Sequence, residues 1–166
     1  MEGAHLHLLL NHFPVIGTII STLVLIAGMV LKNDTIKKTA LALVVFTALM
    51  TIPAFLSGED AEEALKAIHQ APRDLIHEHE EMGDIGLWTT LLTGLIAVFG
   101  MMKMKHSKGK NLLLFTLVVL IGNIFFLAKI GNAGGMIRHT EIRSTNDPLF
   151  QNQTDSLDEN LDEKSE

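Results

Sequence analysis

Apolar residues run along this chain in four blocks, residues 8–31, 39–56, 85–102 and 112–128, and none of the four contains Lys, Arg, Asp or Glu. A helix that crosses the hydrocarbon core of a bilayer needs about 20 mainly apolar residues. Lipid offers the backbone no hydrogen-bonding partner, so such blocks must be helical. Little amphipathic alternation separates a wet face from a dry one, which argues against buried helices of a water-soluble bundle. The pattern predicts an all-α, integral membrane four-helix bundle of up-down topology, with the lipid bilayer as its first partner.

The polar stretches between the blocks add detail. Ser57-Gly58-Glu59-Asp60 follows the second block, with Ser57 and Asp60 at a loose capping-box spacing. It predicts a short extracytoplasmic helix over residues 59–69, between helices two and three, stopped before Pro72. Pro14 predicts a kink or a fresh start in the first helix. The transmembrane domain is placed at residues 1–143. Residues 144–166 are polar and acidic and read as a disordered tail. The first block has no basic segment before it and is too long for a signal-peptide core, so it is expected to be retained.

Charge then gives a direction. The short loops at residues 32–38 and 103–110 hold seven of the thirteen Lys and Arg residues and one acid, Asp34. The excess of Lys and Arg makes these loops cytoplasmic. Both chain ends and the loop around residues 57–84 are then expected outside. Eighteen of nineteen acidic residues fall on that side, and so do seven of eight histidines: His5, His7, His12, His69, His77, His79 and His139. The acids follow from topology. The histidines do not, because imidazole is neutral or nearly so at pH 7.

Other chemistries drop out. The chain has no Cys, which excludes disulfides, thiolate metal sites and thioether-linked heme. A net charge of −6 argues against nucleic acid. No phosphate-binding loop, dinucleotide fingerprint or nucleophile elbow occurs. What remains is a set of His and carboxylate residues converging on one membrane face: His7, His12, Glu59, Glu63, His79, Glu80, His139 and Glu141. Helical bundles build metal and cofactor sites from facing helices. Three uses fit: a b-type heme between two imidazoles, a non-heme transition metal on mixed His and carboxylate ligands, or a polar cap that ties loops to the bundle. For heme, His12 is the deepest imidazole, His79 or His139 its partner, and Arg138 a cation for the propionates.

His7-Leu-Leu-Leu-Asn-His12-Phe13-Pro14 resembles the opening of a bacterial membrane family known as "domain of unknown function 2231". Ser57-Gly58-Glu59-Asp60-Ala61-Glu62-Glu63, His79-Glu80-Glu81 and Gly134-Gly135-Met136-Ile137-Arg138-His139-Thr140-Glu141-Ile142 are similar to that family's other marked stretches. Leu8 stands where the family has Pro, and Ser57 where it has Thr. The resemblance spans residues 5–142. It implies a kinship with cytochrome b-type membrane proteins, which carry two hemes. Here the cytoplasmic half has no intramembrane His, so at most one heme is expected. The leading expectation is one heme b on His12 with His79 or His139, exchanging electrons with a respiratory or periplasmic redox protein. A bare transition metal ion is the alternative cofactor. A non-catalytic subunit that docks a periplasmic partner is the alternative of a different class.

Overall fold

The computed structural model describes residues 2–67, 73–106 and 109–139, and among these every regular element is an α-helix. The helices are α1 (Glu2–Leu10), α2 (His12–Val30), α3 (Asp34–Ala67), α4 (Arg73–Lys103) and α5 (Gly109–Arg138). His69, Pro72, Glu141 and the tail at 144–166 lie outside the described residues.

Four helical stretches are long and apolar enough to cross a membrane: Ala4–Val30, Asp34–Leu65, Arg73–Lys103 and Gly109–Ile137. The first combines α1 and α2. Only Asn11 separates them, and its backbone is still right-handed helical. The Asn11 amide donates to the His7 carbonyl at 2.9 Å, so the ladder runs on through the junction. Pro14 lacks an amide proton, but in this position it costs one hydrogen bond rather than the helix.

The bundle closes on itself. Helix α2 packs on α3, α3 on α4, α4 on α5 and α5 on α2, while α1 lies along α3. Helices α2 and α4 each turn a seam of mostly small or branched residues inward at spacings of three and four. On α2 the seam includes Pro14, Thr18, Ser21, Leu25 and Gly28. On α4 it includes Met82, Gly86, Thr90, Thr93, Ala97 and Gly100. This periodicity is that of left-handed bundle packing. Close approach follows from the small residues: a Cβ on Gly94 would stand 2.6 Å from the Cβ of Ala48.

The interior is polar in places where a soluble core would be greasy. Thr18, Thr22, Thr47, Thr51, Thr90, Thr93 and Asn123 are all buried. Most of the hydroxyls satisfy themselves by donating to the carbonyl four residues back, as Thr18 does to Pro14 and Thr51 to Thr47. Asn123 reaches across from α5 and donates to Thr93 Oγ1 on α4 at 2.7 Å. An apolar cluster of Leu25, Leu41, Val44, Ala97, Leu113 and Leu120 fills the bundle toward its Lys-bearing end. Many other large apolar side chains face outward, with Trp88 69% and Phe125 74% exposed. Such a surface is untenable in water and natural in lipid.

One expectation meets a different outcome. Helix α3 runs unbroken from Asp34 to Ala67, with no separate short helix starting near residue 59. Two causes are visible. Ser57 does not cap a new helix: its hydroxyl donates to the Ala54 carbonyl at 2.9 Å, inside the existing one. The residues that follow are strong helix formers, Glu, Ala and Leu, which extend a helix already nucleated.

Candidate functional site

The site forms where α1, α3, α4 and α5 meet, at the end of the bundle away from the Lys loops. Helix α1 brings His7 and helix α4 brings His79. Their ring centres are 6.5 Å apart and their planes stand at 88°. Both positions follow from helix phase. His7 lies seven residues before Pro14, on the inward seam of α1 and α2. His79 lies three before Met82, on the seam of α4.

A main-chain carbonyl fixes the state of the His7 ring. His7 Nδ1 lies 3.0 Å from the Ala54 carbonyl oxygen and 3.2 Å from Ser57 Oγ. A carbonyl only accepts, so Nδ1 carries the proton, and Nε2 of the neutral ring keeps its lone pair. The Ser57 proton is already spent on Ala54. His79 Nδ1 is buried with no hydrogen-bond partner. His7 thus donates Nδ1–H to a carbonyl and holds Nε2 as a lone pair. Metal-ligating histidines have this arrangement, in which the outer hydrogen bond sets tautomer and ring orientation.

Glycines make room for the rings. A Cβ on Gly134 of α5 would stand 3.0 Å from His79 Cε1 and 3.5 Å from its Nδ1. A Cβ on Gly58 of α3 would stand 3.6 Å from His7 Cε1, an ordinary contact.

The other candidates are spread out. His12 is exposed, and its Nδ1 donates to the Leu8 carbonyl at 2.7 Å. It lines a lateral apolar groove of about 540 Å³ between α2 and α3, with Phe13, Ile20, Leu43 and Phe46. At about 100° per residue, five positions put His12 roughly 140° round the helix from His7. His79 is accordingly paired with His7 and not with His12. Glu59, Glu63, Glu80 and His139 are exposed. Arg138 is the last residue of α5. His77 is exposed and lies 3.4 Å from Glu81 and 3.9 Å from Glu80, surface pairs of little energetic weight. Among the described residues no group of three or more His, Asp or Glu is placed to hold one ion.

No family model, no curated protein and no solved structure matches this chain.

Proposed function

We propose that the protein is a multi-pass membrane protein that binds a transition metal through His7 and His79. The observation that carries this reading is a pair of adjacent imidazoles: His7, whose Nδ1 bonds the Ala54 carbonyl and leaves Nε2 as a lone pair, and His79, whose Nδ1 is buried without a partner. Two imidazoles on one metal, each bonded at about 2.0–2.1 Å, have ring centres roughly 5 Å apart at a tetrahedral angle and roughly 6–6.5 Å apart in line. The observed 6.5 Å is wide enough for an ion between the two rings. Iron in a b-type heme and a bare ion both accept imidazole donors in line. Heme on His12 with His79 loses support, because the two rings serve different faces.

The bundle is read as up-down, with the His end outside a bacterial inner membrane and the Lys loops in the cytoplasm. The resemblance to the uncharacterised family and to cytochrome b-type proteins supports a heme, and with it electron exchange with a redox partner.

Purified protein in detergent tests the reading. A Soret band, or about one equivalent of metal by elemental analysis, is expected. Either signal should vanish in His7→Ala and in His79→Ala and persist in His12→Ala. Folded protein with neither chromophore nor metal overturns the reading and leaves a subunit that docks a partner.

A further inference from the structure

We propose that the lateral groove between α2 and α3 binds a membrane quinol, with His12 Nε2 accepting a hydrogen bond from the quinol hydroxyl. The proposal is independent of the metal reading, since neither His7 nor His79 lines this groove.

The space is that of a ligand site. The groove encloses about 540 Å³, within the ~300–1,000 Å³ of small-molecule pockets. It runs from Leu8 to Ser21, about 20 Å along the helix at 1.5 Å per residue. Both walls belong to membrane spans, Ala4–Val30 and Asp34–Leu65, so an occupant arrives dissolved in the bilayer. A Cβ on Gly17 would run into Thr47, so the two helices touch at this point, and the exposed side chains of Phe13, Ile20 and Phe46 complete the lining.

One group sets the chemistry of the occupant. Ser21 and Thr47 are buried, and the Ser21 hydroxyl donates to the Gly17 carbonyl. His12 is the one exposed polar side chain among the residues that line the groove. Its Nδ1 donates to the Leu8 carbonyl at 2.7 Å, so the neutral ring presents Nε2 as an acceptor. Depth separates the possible donors. With a ~30 Å core centred on the span, His12, eight residues after Ala4, lies about 7 Å inside the hydrocarbon. Phospholipid head groups stay outside that core, and acyl chains carry no donor. A quinol carries its O–H on an aromatic ring at the end of an apolar chain. The ring fits beside Phe13 in offset or edge contact, and the chain lies over Ile16, Ile20 and Leu43. A quinone has no O–H and only accepts, so the groove selects the reduced form.

Full-length protein in lipid nanodiscs is titrated anaerobically with a decyl-substituted benzoquinol and with the matching quinone, and protein-free discs are subtracted. One equivalent of quinol should bind, about 10-fold tighter than quinone, the upper part of the range for one neutral hydrogen bond. His12→Ala should weaken quinol binding by about the same factor and leave quinone binding unchanged, which removes the preference. Leu43→Trp should fill the groove and weaken both, and His77→Ala should bind as the parent does. The nitrogen resonance of His12 Nε2 should shift with quinol and not with quinone. Circular dichroism confirms that each variant is folded. Equal binding of quinol and quinone, decanol binding as tightly as quinol, or no binding to the folded parent each overturns the proposal and leaves a groove filled by lipid chains.

Discussion

Gly134 lies against the imidazole of His79 so closely that a methyl group on it would stand 3.0 Å from Cε1. The contact is tighter than normal packing, and the ring is the mobile partner because it sits at the end of a side chain. Gly134→Ala is therefore expected to push the ring rather than part the helices. The direction in which the unpartnered Nδ1 points depends on that ring. Metal affinity should fall about 10-fold or more, the scale of lost outer-shell support. Thermal stability should change little, since Ala is the better helix former. Gly58→Ala makes only an ordinary 3.6 Å contact with His7 and should leave affinity unchanged. Titration of both variants with the same metal checks the contrast.

The spans were legible because a run of about 20 apolar residues admits one solution in lipid. The continuation of α3 past Ser57 was not. A Ser-Gly-Glu-Asp sequence reads as a cap, and only the structure shows the hydroxyl turned back to Ala54. Depth alone favoured His12 over His7. Phase decides otherwise. Counting back from Gly28 through Leu25, Ser21, Thr18 and Pro14 at spacings of three and four, and then by seven, leads to His7. The same count on α4, back from Gly100 through Ala97, Thr93, Thr90, Gly86 and Met82, ends on His79. The small-residue seam was thus the available signal. It was hard to weigh because Pro14 made the continuity of the helix uncertain from sequence.

Asn123 and Thr93 give an asymmetric pair of mutants. Asn123→Leu removes the donor to Thr93, but the Thr93 hydroxyl still donates to the Thr89 carbonyl at 2.7 Å, so nothing is orphaned. The loss should be near the ~0.6–1.7 kcal/mol of interhelical hydrogen bonds in membranes. Thr93→Val leaves the Asn123 amide with only a 3.5 Å contact to the Thr89 carbonyl, close to an unsatisfied buried group. Its cost should be larger, about 1–3 kcal/mol. The double mutant should be less destabilised than the sum of the two. Unfolding of all four proteins in one detergent measures the cycle, and equal losses in the two single mutants would contradict this account.

Two glycines should respond to Ala with opposite sign. At Gly94 the new Cβ meets the Ala48 Cβ at 2.6 Å, and neither atom can rotate away. Helices α3 and α4 must separate, at about 1–3 kcal/mol for overpacking, offset in part by the ~1 kcal/mol that Ala gains in helix propensity. Gly131 has nothing within 4 Å of its Cβ position, so only the propensity gain remains. Gly94→Ala should lower the midpoint of thermal unfolding, and Gly131→Ala should raise it or leave it unchanged.

The direction of the bundle can be read with thiol chemistry. The parent chain has no Cys, so a single introduced thiol is the only label site. Asp74 is exposed in the first turn of α4, on the end that carries His79, and Lys105 is exposed just beyond the last turn of the same helix. One helix thus supplies both reporters, about 45 Å apart at 1.5 Å per residue, more than the ~30 Å hydrocarbon core. The Lys-rich loops argue that residue 105 is cytoplasmic. A membrane-impermeant maleimide added to intact spheroplasts should label Asp74→Cys and spare Lys105→Cys. Lysing the cells first should make both reactive. Labelling of Lys105→Cys alone in intact spheroplasts would invert the bundle and place the His7–His79 pair at the cytoplasmic face, where any metal would have to come from the cytosol.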